Sequence, residues 1–283
     1  MRTPTGTPAR TGLGQVLPSP VPSGPASPPP GLESAAPDDG KHAWLQEALV
    51  GPYSADIIEY LTLARKTGGP ILDLGSGAGR LAVPFARHGF PVEAMDRDPA
   101  SLARLRAWAT RIGPRTHRLI TTTQADLADL QLHRTYQLVL LAGAMVAAVP
   151  PHARPALLRE IATHLGTGGT LALDYTAHEL RALAEHPRRS WSFQVPRFDG
   201  VTEQVVARQV FDLATMSEQI TYHTERSRKT RVSRSAFRTA KWIVEQDDLA
   251  DQLHTAGLRV AERKQQRLDH RTLGVLLVCR PVT

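Results

Sequence analysis

The chain has 283 residues, 41% of them hydrophobic, which is enough for one large globular domain or one domain with an insert. Its single cysteine, Cys279, excludes an internal disulfide and favours a reducing cytoplasm. We expect no membrane span, because no apolar run reaches roughly 18 residues, and no secretory signal, because the amino terminus lacks its apolar core. The net charge of +7 is compatible with a surface that attracts nucleic acid or another acidic partner. A solvated, arginine-rich surface is the favoured explanation of this charge.

The amino-terminal region divides into a tail and a helical segment. Residues 1–40 contain ten prolines together with many Gly, Ser and Thr residues, so this tail is predicted to be disordered, with docking to a partner or peptide as the alternative. Residues 41–66 show helical spacing of apolar residues, interrupted at Gly51-Pro52. We interpret them as a helical cap whose second helix begins after Ser54, a plausible N-cap.

The next segment predicts a strand, a glycine turn and a helix. Ile71–Leu74 is short and apolar, Gly75, Gly77 and Gly79 alternate, and Leu81–Arg87 opens a helix. Glycines let a ligand lie against bare backbone N–H groups, because no Cβ intervenes. The positive end of the following helix points at the same place. The turn is therefore a candidate ligand site.

The residues around the turn restrict the ligand. A phosphate-binding P-loop requires Lys followed by Ser or Thr, whereas Arg80-Leu81 stands here. Arg80 also occupies the position of the third glycine of a dinucleotide fingerprint. Asp73, two residues before Gly75, suits a ligand that carries positive charge better than a pyrophosphate.

The pattern Asp73-x-Gly75-x-Gly77-x-Gly79 is similar to the first motif of the class I S-adenosylmethionine (SAM)-dependent methyltransferases, whose loop wraps the amino-acid end of SAM. The resemblance implies SAM as the cofactor and the following binding residues in this turn: Asp73, Gly75, Ser76, Gly77, Gly79 and Arg80. Two roles stay open for each charged residue. Arg80 pairs with the SAM carboxylate or is bonded to the cap, and Asp73 touches the ligand or holds the loop amides.

Two later motifs fit the same family. Gly89–Met95 is predicted as the second strand and ends on Asp96, followed by Arg97; a carboxylate at this strand tip can accept both ribose hydroxyls. Asp126-Leu127, after the third strand, resembles the family's contact to the adenine amino group, with a surface acid as the alternative. Asp96, Arg97, Asp126 and Leu127 are thus predicted cofactor residues, joined by Ala142 after the fourth strand.

The remaining pattern predicts an α/β, doubly wound, mostly parallel seven-stranded sheet. Its ending, a helix and then two strands, resembles the reversed last strand of the same family. A methyltransferase domain is expected over 67–283, with an antiparallel β insert at about 190–244 after the fifth strand. The further predicted elements are helix Ser101–Ile112, strand Leu119–Thr122, strand Tyr136–Leu141, helix Arg154–Leu165, strand Thr170–Asp174, helix His178–Glu185, helix Gln246–Ala256 and strands Leu258–Arg267 and Leu273–Arg280.

Catalytic residues are harder to predict. Methyl transfer from a sulfonium is an in-line displacement, for which the protein mainly aligns the nucleophile and excludes water. We predict no metal, since only Asp174 is placed for one. Tyr53, at the junction of the two predicted cap helices, and Tyr175, after the fifth strand, are candidate catalytic residues, although packing explains Tyr53 equally. Structural roles are favoured for His152 and His178.

The substrate class depends on the exit of the fourth strand. The run Ala142–Ala148 has no side chain able to hold a base amine, and an apolar pocket lowers the pKa of an amine that must attack unprotonated. The layout from Tyr53 to Val282 resembles small-molecule and sugar N,N-dimethyltransferases of natural-product pathways, and the methyltransferases of ribosomally made daptide peptides. The exit of the fourth strand is more apolar than that of the sugar enzymes, which argues against a sugar substrate.

These features predict N-methylation of an amine of a small metabolite or ribosomally made peptide. The rivals are a small-molecule O-methyltransferase, an RNA-directed methyltransferase and a nicotinamide oxidoreductase. Arginine and lysine residues crowd 226–238, but Phe237 is the single aromatic among them and no base-gripping motif is present, so nucleic acid is disfavoured. Trp191 and Trp242 form either an aromatic wall for a cationic amine or the packing of the insert.

Overall fold

The computed structural model describes residues 36–37, 55–196, 202–228 and 231–282. Tyr53, the first predicted cap helix and most of the predicted tail lie outside these residues. Ala36–Pro37, inside the segment predicted to be disordered, forms a short strand, β1, at the edge of the insert.

A mixed seven-stranded sheet organises the core. Its strands are β2 (Ile71–Leu74), β3 (Val92–Asp96), β4 (Ile120–Gln124), β5 (Tyr136–Leu141), β6 (Leu165–His178), β11 (Leu258–Asp269) and β12 (Thr272–Pro281). Their spatial order is β11-β12-β6-β5-β2-β3-β4, and β12 is antiparallel to both its neighbours while the strands from β6 to β4 are parallel. The chain builds outward in one direction from β2 and in the other from β5, so the strand order reverses between these two strands.

Helices cover both faces of this sheet. Within the described residues they are α1 (Ala55–Thr67), α2 (Ala82–Arg87), α3 (Pro99–Ile112), α4 (Pro114–Arg118), α5 (Met145–Ala148), α6 (Arg154–Thr163), α7 (Leu180–Glu185) and α8 (Gln246–Thr255). One face packs on α1, α2 and α3 through Tyr60, Phe85 and Leu105. The other packs on α6 and α8 through side chains such as Leu157 and Leu249. Because both faces are covered, the strands at the centre of the sheet are almost continuously apolar.

The insert follows β6 and α7. It is an antiparallel sheet of β7 (Arg188–Pro196), β8 (Thr202–Asp212), β9 (Ser217–Arg228) and β10 (Arg231–Trp242), with β1 added in parallel at the β10 edge. Trp191, Tyr222 and Phe237 are buried on one of its faces, and the rings of Tyr222 and Phe237 stack at 5.1 Å. Strand β10 also packs against α5, at the exit of β5.

The fold predicted from the sequence is confirmed, with differences in detail. The strand predicted over Thr170–Asp174 is the longer β6, because Gly166 and Gly169 let the chain pair with β5 through an irregularity. Helix α3 begins two residues earlier than predicted, since Asp98 caps it through the Ala100 and Ser101 amides. Helices α4 and α5 were not predicted.

Candidate functional site

The glycine turn after β2 combines three left-handed residues with different surroundings. A Cβ at Gly75 (φ +73°) would lie 2.7 Å from the Met145 side chain, and one at Gly79 (φ +93°) would lie 2.6 Å from Leu105 Cγ. A Cβ at Gly77 (φ +53°) would meet no atom within 4 Å. Gly75 and Gly79 are therefore glycines for packing reasons as well as conformation, whereas Gly77 faces open space at the switch in strand order, where open α/β sheets bind ligands.

Asp96 at the tip of β3 holds this turn. Its Oδ2 accepts the Gly77 N–H at 2.8 Å, and its Oδ1 accepts the Asp98 N–H at 2.9 Å. The turn is also tied to the end of β3 by Gly75 N–H and Ser76 N–H, which donate to the Met95 carbonyl. A carboxylate has about four lone-pair sites. Each oxygen of Asp96 can therefore still accept a hydrogen bond from a ligand hydroxyl.

Asp73 and Ser76 leave polar atoms buried beside the turn. Asp73 Oδ2 and Ser76 Oγ have no hydrogen-bond partner, and the Asp73 side chain is only 3% exposed. Burial raises the pKa of Asp73 to about 7, although Arg80 and the Ala82 N–H favour its charged form; the Asp96 carboxylate raises it further. An orphaned buried carboxylate is costly unless a cation or donor reaches it. This position therefore favours a positively charged ligand.

Arg80 ends the turn and pairs with the cap helix. Its Nη1 lies 2.7 Å from Asp56 Oδ1 on α1, and both side chains are largely buried. Hydrogen bonding and charge attraction from Asp56 raise the pKa of Arg80 against its burial. Of the two roles left open for Arg80, the structure displays the bond to the cap.

Asp174, near the carboxyl end of β6, joins three elements. Its carboxylate accepts the Tyr60 hydroxyl at 2.5 Å, the Gly143 N–H at 2.9 Å and the Ala144 N–H at 2.7 Å. Burial raises the pKa of Asp174, which these three donors oppose. Burial, followed by the Asp174 charge, raises the pKa of Tyr60 well above its usual value. Tyr60 and the role of Asp174 toward the β5 exit were missed in the sequence, because 114 residues separate them.

The other residues predicted to bind cofactor follow the carboxyl ends of β3, β4 and β5, which together with the glycine turn after β2 form the crevice at the switch in strand order. Arg97 is exposed, directly after β3. Asp126 is exposed and caps the short 3-10 helix Leu127–Asp129 by accepting the Ala128 N–H, while Leu127 is buried in the core. Ala142 is buried at the end of β5. Their contacts to a cofactor stay predictions.

The candidate catalytic tyrosines are placed differently. Tyr53 lies outside the described residues. Tyr175 is buried on the α6 and α8 face of the sheet, opposite to Asp174; its hydroxyl has no partner, and burial raises its pKa to about 12. His178 packs edge-on against Phe211 of the insert at 5.1 Å, whereas His152 is exposed. Catalysis by either tyrosine stays a prediction.

Two of the arginines outside the crevice have contacts within the insert. In the β9–β10 hairpin Arg234 bonds Glu225 at 2.8 Å. Trp191 is buried in the insert, with the Arg189 guanidinium 5.0 Å from its ring.

In the part of the chain that the structure describes, no three His, Cys, Asp or Glu side chains are arranged to hold a metal. No helix among those residues is long and apolar enough to cross a membrane.

The residues of the crevice are thus chemically suited to SAM. It offers an open glycine-lined side at Gly77, a strand-tip carboxylate at Asp96, and buried acidic atoms at Asp73 that suit a cation. The fold and this crevice define a Rossmann-like α/β protein with a candidate nucleoside site at the switch in strand order.

Comparisons with known proteins agree with this class. Residues 71–169 match the family model described as a methyltransferase domain. No curated protein matches the sequence significantly. The structure is similar to that of an S-adenosylmethionine-dependent methyltransferase from Clostridium acetobutylicum, with a TM-score of 0.68 and 11% identity over 86% of this chain and 98% of that one.

Two further solved structures are similar. SAM-bound CalS10, an amino pentose methyltransferase from Micromonospora echinaspora involved in calicheamicin biosynthesis, has a TM-score of 0.61 and 19% identity over 80% of this chain and 90% of that one. The glycopeptide N-methyltransferase MtfA has a TM-score of 0.55 and 20% identity over 81% and 92%. Residues 71–169 thus match a methyltransferase domain model, and the chain has the fold of class I SAM-dependent methyltransferases, as predicted from its sequence.

Proposed function

We propose that this protein transfers a methyl group from SAM to an amine of a small metabolite or of a ribosomally made peptide in a natural-product pathway. One observation carries the proposal. The crevice has an acidic, glycine-lined side at Asp73, Gly77 and Asp96, and an uncharged rim at the exit of β5. The first suits a sulfonium nucleoside, and the second suits an acceptor that arrives without charge.

The cofactor side uses the residues of the turn and strand tips. Gly77 leaves room for the ligand against the backbone, and Asp96 retains acceptor capacity for ribose hydroxyls beyond its two backbone bonds. Bound there, SAM supplies a methyl group on a positively charged sulfur. Asp73 lies next to the turn with an oxygen that lacks a partner, and it would be stabilised in its charged form by a nearby cation.

The acceptor side favours nitrogen over oxygen. Residues 142–148, which contain only Ala, Gly, Met and Val, supply no side chain that could remove a proton. A hydroxyl needs such a base before it attacks, whereas an amine loses its proton to water before binding, and a desolvated rim lowers its pKa. The amine lone pair then forms the bond to the methyl carbon as the carbon–sulfur bond breaks. The sulfur leaves as a neutral thioether, and the new ammonium releases its proton to solvent.

The similar structures support an amine acceptor. One belongs to an amino pentose methyltransferase and another to a glycopeptide N-methyltransferase. These two proteins represent the small-molecule branch and the peptide branch of the proposal. A cytoplasmic location is part of the proposal and rests on the lone cysteine, Cys279, which is buried and free in β12.

A paired acceptor panel tests the function. The full chain is incubated with methyl-labelled SAM and with amino sugars, polyamines and peptides that have a free terminal amine, each beside its hydroxyl or acetylated counterpart. We expect label only in the free amines. Transfer only to hydroxyls would overturn N-methylation in favour of O-methylation. Thermal stabilisation by NAD but not by SAM or S-adenosylhomocysteine would overturn the methyltransferase itself.

A further inference from the structure

Helix α1 contacts both walls of the crevice through two side chains one turn apart. Asp56 and Tyr60, spaced i and i+4, lie on the same face of the helix. Asp56 binds Arg80 at the end of the glycine turn at 2.7 Å, and the Tyr60 hydroxyl donates to Asp174 at 2.5 Å. Tyr60 is 1% exposed, so this second bond is shielded from water.

Asp174 connects helix α1 to the backbone at the exit of β5. Its carboxylate accepts consecutive backbone N–H groups from Gly143 and Ala144, at 2.9 and 2.7 Å. Both residues are left-handed, with φ of +74° and +58°. Ala144 is a non-glycine residue in this sparsely populated region, which persists only where its surroundings hold it there. The two hydrogen bonds to Asp174 supply that restraint.

The next residue connects the exit to the cofactor turn. Met145 begins α5 directly after Ala144, and its side chain fills the space beside Gly75, where even a methyl group would not fit. The position of the exit backbone thus sets how closely Met145 approaches the glycine turn. Asp174 accepts three hydrogen bonds, one of them from a buried tyrosine, and these occupy three of the roughly four lone-pair sites of its carboxylate.

We propose that Asp174, held by Tyr60, is a positioning residue for methyl transfer. It fixes the left-handed backbone at Gly143 and Ala144, and so places the apolar rim that keeps the acceptor nitrogen in line with the carbon–sulfur bond of the cofactor. It acts through this backbone without touching substrate. The inference rests on the proposed function for its chemistry, and on the hydrogen bonds above for its mechanism.

The test uses Tyr60→Phe and Asp174→Asn, with Tyr136→Phe as the matched control. Tyr136 is equally buried, and its hydroxyl donates to a carboxylate in the same sheet, Glu93 Oε2 at 2.9 Å, but it stands at the opposite end of β5 from the crevice. Tyr60→Phe and Tyr136→Phe each lose one tyrosine–carboxylate hydrogen bond, and Asp174→Asn weakens one. Only Tyr60→Phe and Asp174→Asn disturb the β5 exit.

Three measurements are made on the full chain: hydrogen exchange of the segment 142–148, affinity for S-adenosylhomocysteine, and steady-state kinetics with the amine that the wild-type protein methylates fastest in the panel. For Tyr60→Phe and Asp174→Asn we expect faster exchange, nucleoside affinity within about twofold, and a kcat lowered about ten- to a hundredfold, as misplaced reactants require. For Tyr136→Phe we expect a lower Tm with unchanged exchange and kcat.

The outcomes separate the two proposals. An unchanged kcat in Tyr60→Phe and Asp174→Asn, while the wild-type protein methylates amines, would overturn the positioning role and leave the proposed function standing. A kcat that falls equally in Tyr136→Phe would show a general loss of stability and would also overturn it. If the wild-type protein binds SAM but methylates no amine, the proposed function fails, and this inference fails with it.

Discussion

Alanine at position 77 separates the cofactor role of the glycine turn from its role in folding. Gly77 has φ +53°, and an added Cβ would meet no atom within 4 Å. The folded chain therefore bears only the cost of a left-handed alanine, about 1–2 kcal/mol. The methyl group would, however, occupy the open side of the crevice. We expect Gly77→Ala to fold and to lose SAM affinity by at least about tenfold, equivalent to about 1.4 kcal/mol.

Gly79→Ala is the matched control for this change. Its φ of +93° carries similar strain, and its Cβ would lie 2.6 Å from Leu105 Cγ in the core. Strain together with overpacking at the fully buried Leu105 amounts to about 2–5 kcal/mol. We expect this variant to lose much more stability than Gly77→Ala. Its loss of nucleoside affinity should be the smaller of the two in the fraction that stays folded.

Two measurements decide between these expectations. Urea denaturation gives the free energy of unfolding of each variant, and calorimetric titration with SAM and S-adenosylhomocysteine gives the affinities. If folded Gly77→Ala binds both nucleosides within about twofold of wild type, the open side of the turn is not where the cofactor lies. The assignment of the crevice would then be wrong.

Three further outcomes are expected. Asp96→Ala should lower S-adenosylhomocysteine affinity at least about tenfold, since bonds to a charged group contribute about 1.5–3 kcal/mol. Asp98→Ala, which removes the α3 cap and the contacts of this carboxylate with the Ser101 hydroxyl and Arg104, should leave that affinity within about threefold in the same titration. The pKa of Asp73, about 7 in the folded chain against 3.8 ordinarily, means that the folded state holds the proton more tightly. Its contribution to the unfolding free energy is therefore present below about pH 4 and lost as the pH rises to about 7. Asp73→Asn should remove this pH dependence from the unfolding free energy measured by urea denaturation. The same pH dependence in the variant and the wild type would contradict the assignment. Arg271→Ala should cost about 1–3 kcal/mol and speed tryptic cleavage within 188–242, because the buried guanidinium donates to the His186 carbonyl at 2.5 Å; unchanged cleavage would mean that the insert is anchored elsewhere.

The elements that the sequence predicted well are those with local signals. Strand β5 was predicted with its observed bounds, because Tyr136–Leu141 is apolar except for Gln137 and follows the polar residues 133–135. Helix α4 was missed because Pro114–Arg118 is polar throughout and has no apolar stripe. Helix α5 was missed because four residues are too few to show periodicity, and because it begins at a left-handed alanine that nothing in the local sequence requires.

The candidate site shows the same division. The glycine turn and Asp96 could be predicted because each lies at a strand end, at a fixed spacing from the other. The pairs Asp56–Arg80 and Tyr60–Asp174 were not, because each joins segments far apart in the chain and depends on how α1 crosses the sheet. A sequence pattern can predict a loop geometry that a few neighbouring residues dictate, but it cannot predict which side chains meet across the sheet.

The charge of the crevice resolves the ambiguity of the overall charge. The protein carries a net +7, which by itself is compatible with an acidic partner. Among the described residues, however, Arg80 interacts with the carboxylates of Asp56, Asp73 and Asp174, and Asp96 lies close enough to act on Asp73. Charges more than about 8–10 Å away are largely screened at physiological ionic strength. A ligand in the crevice therefore experiences this local excess of carboxylates, and the cationic sulfonium of SAM fits it although the protein as a whole is basic.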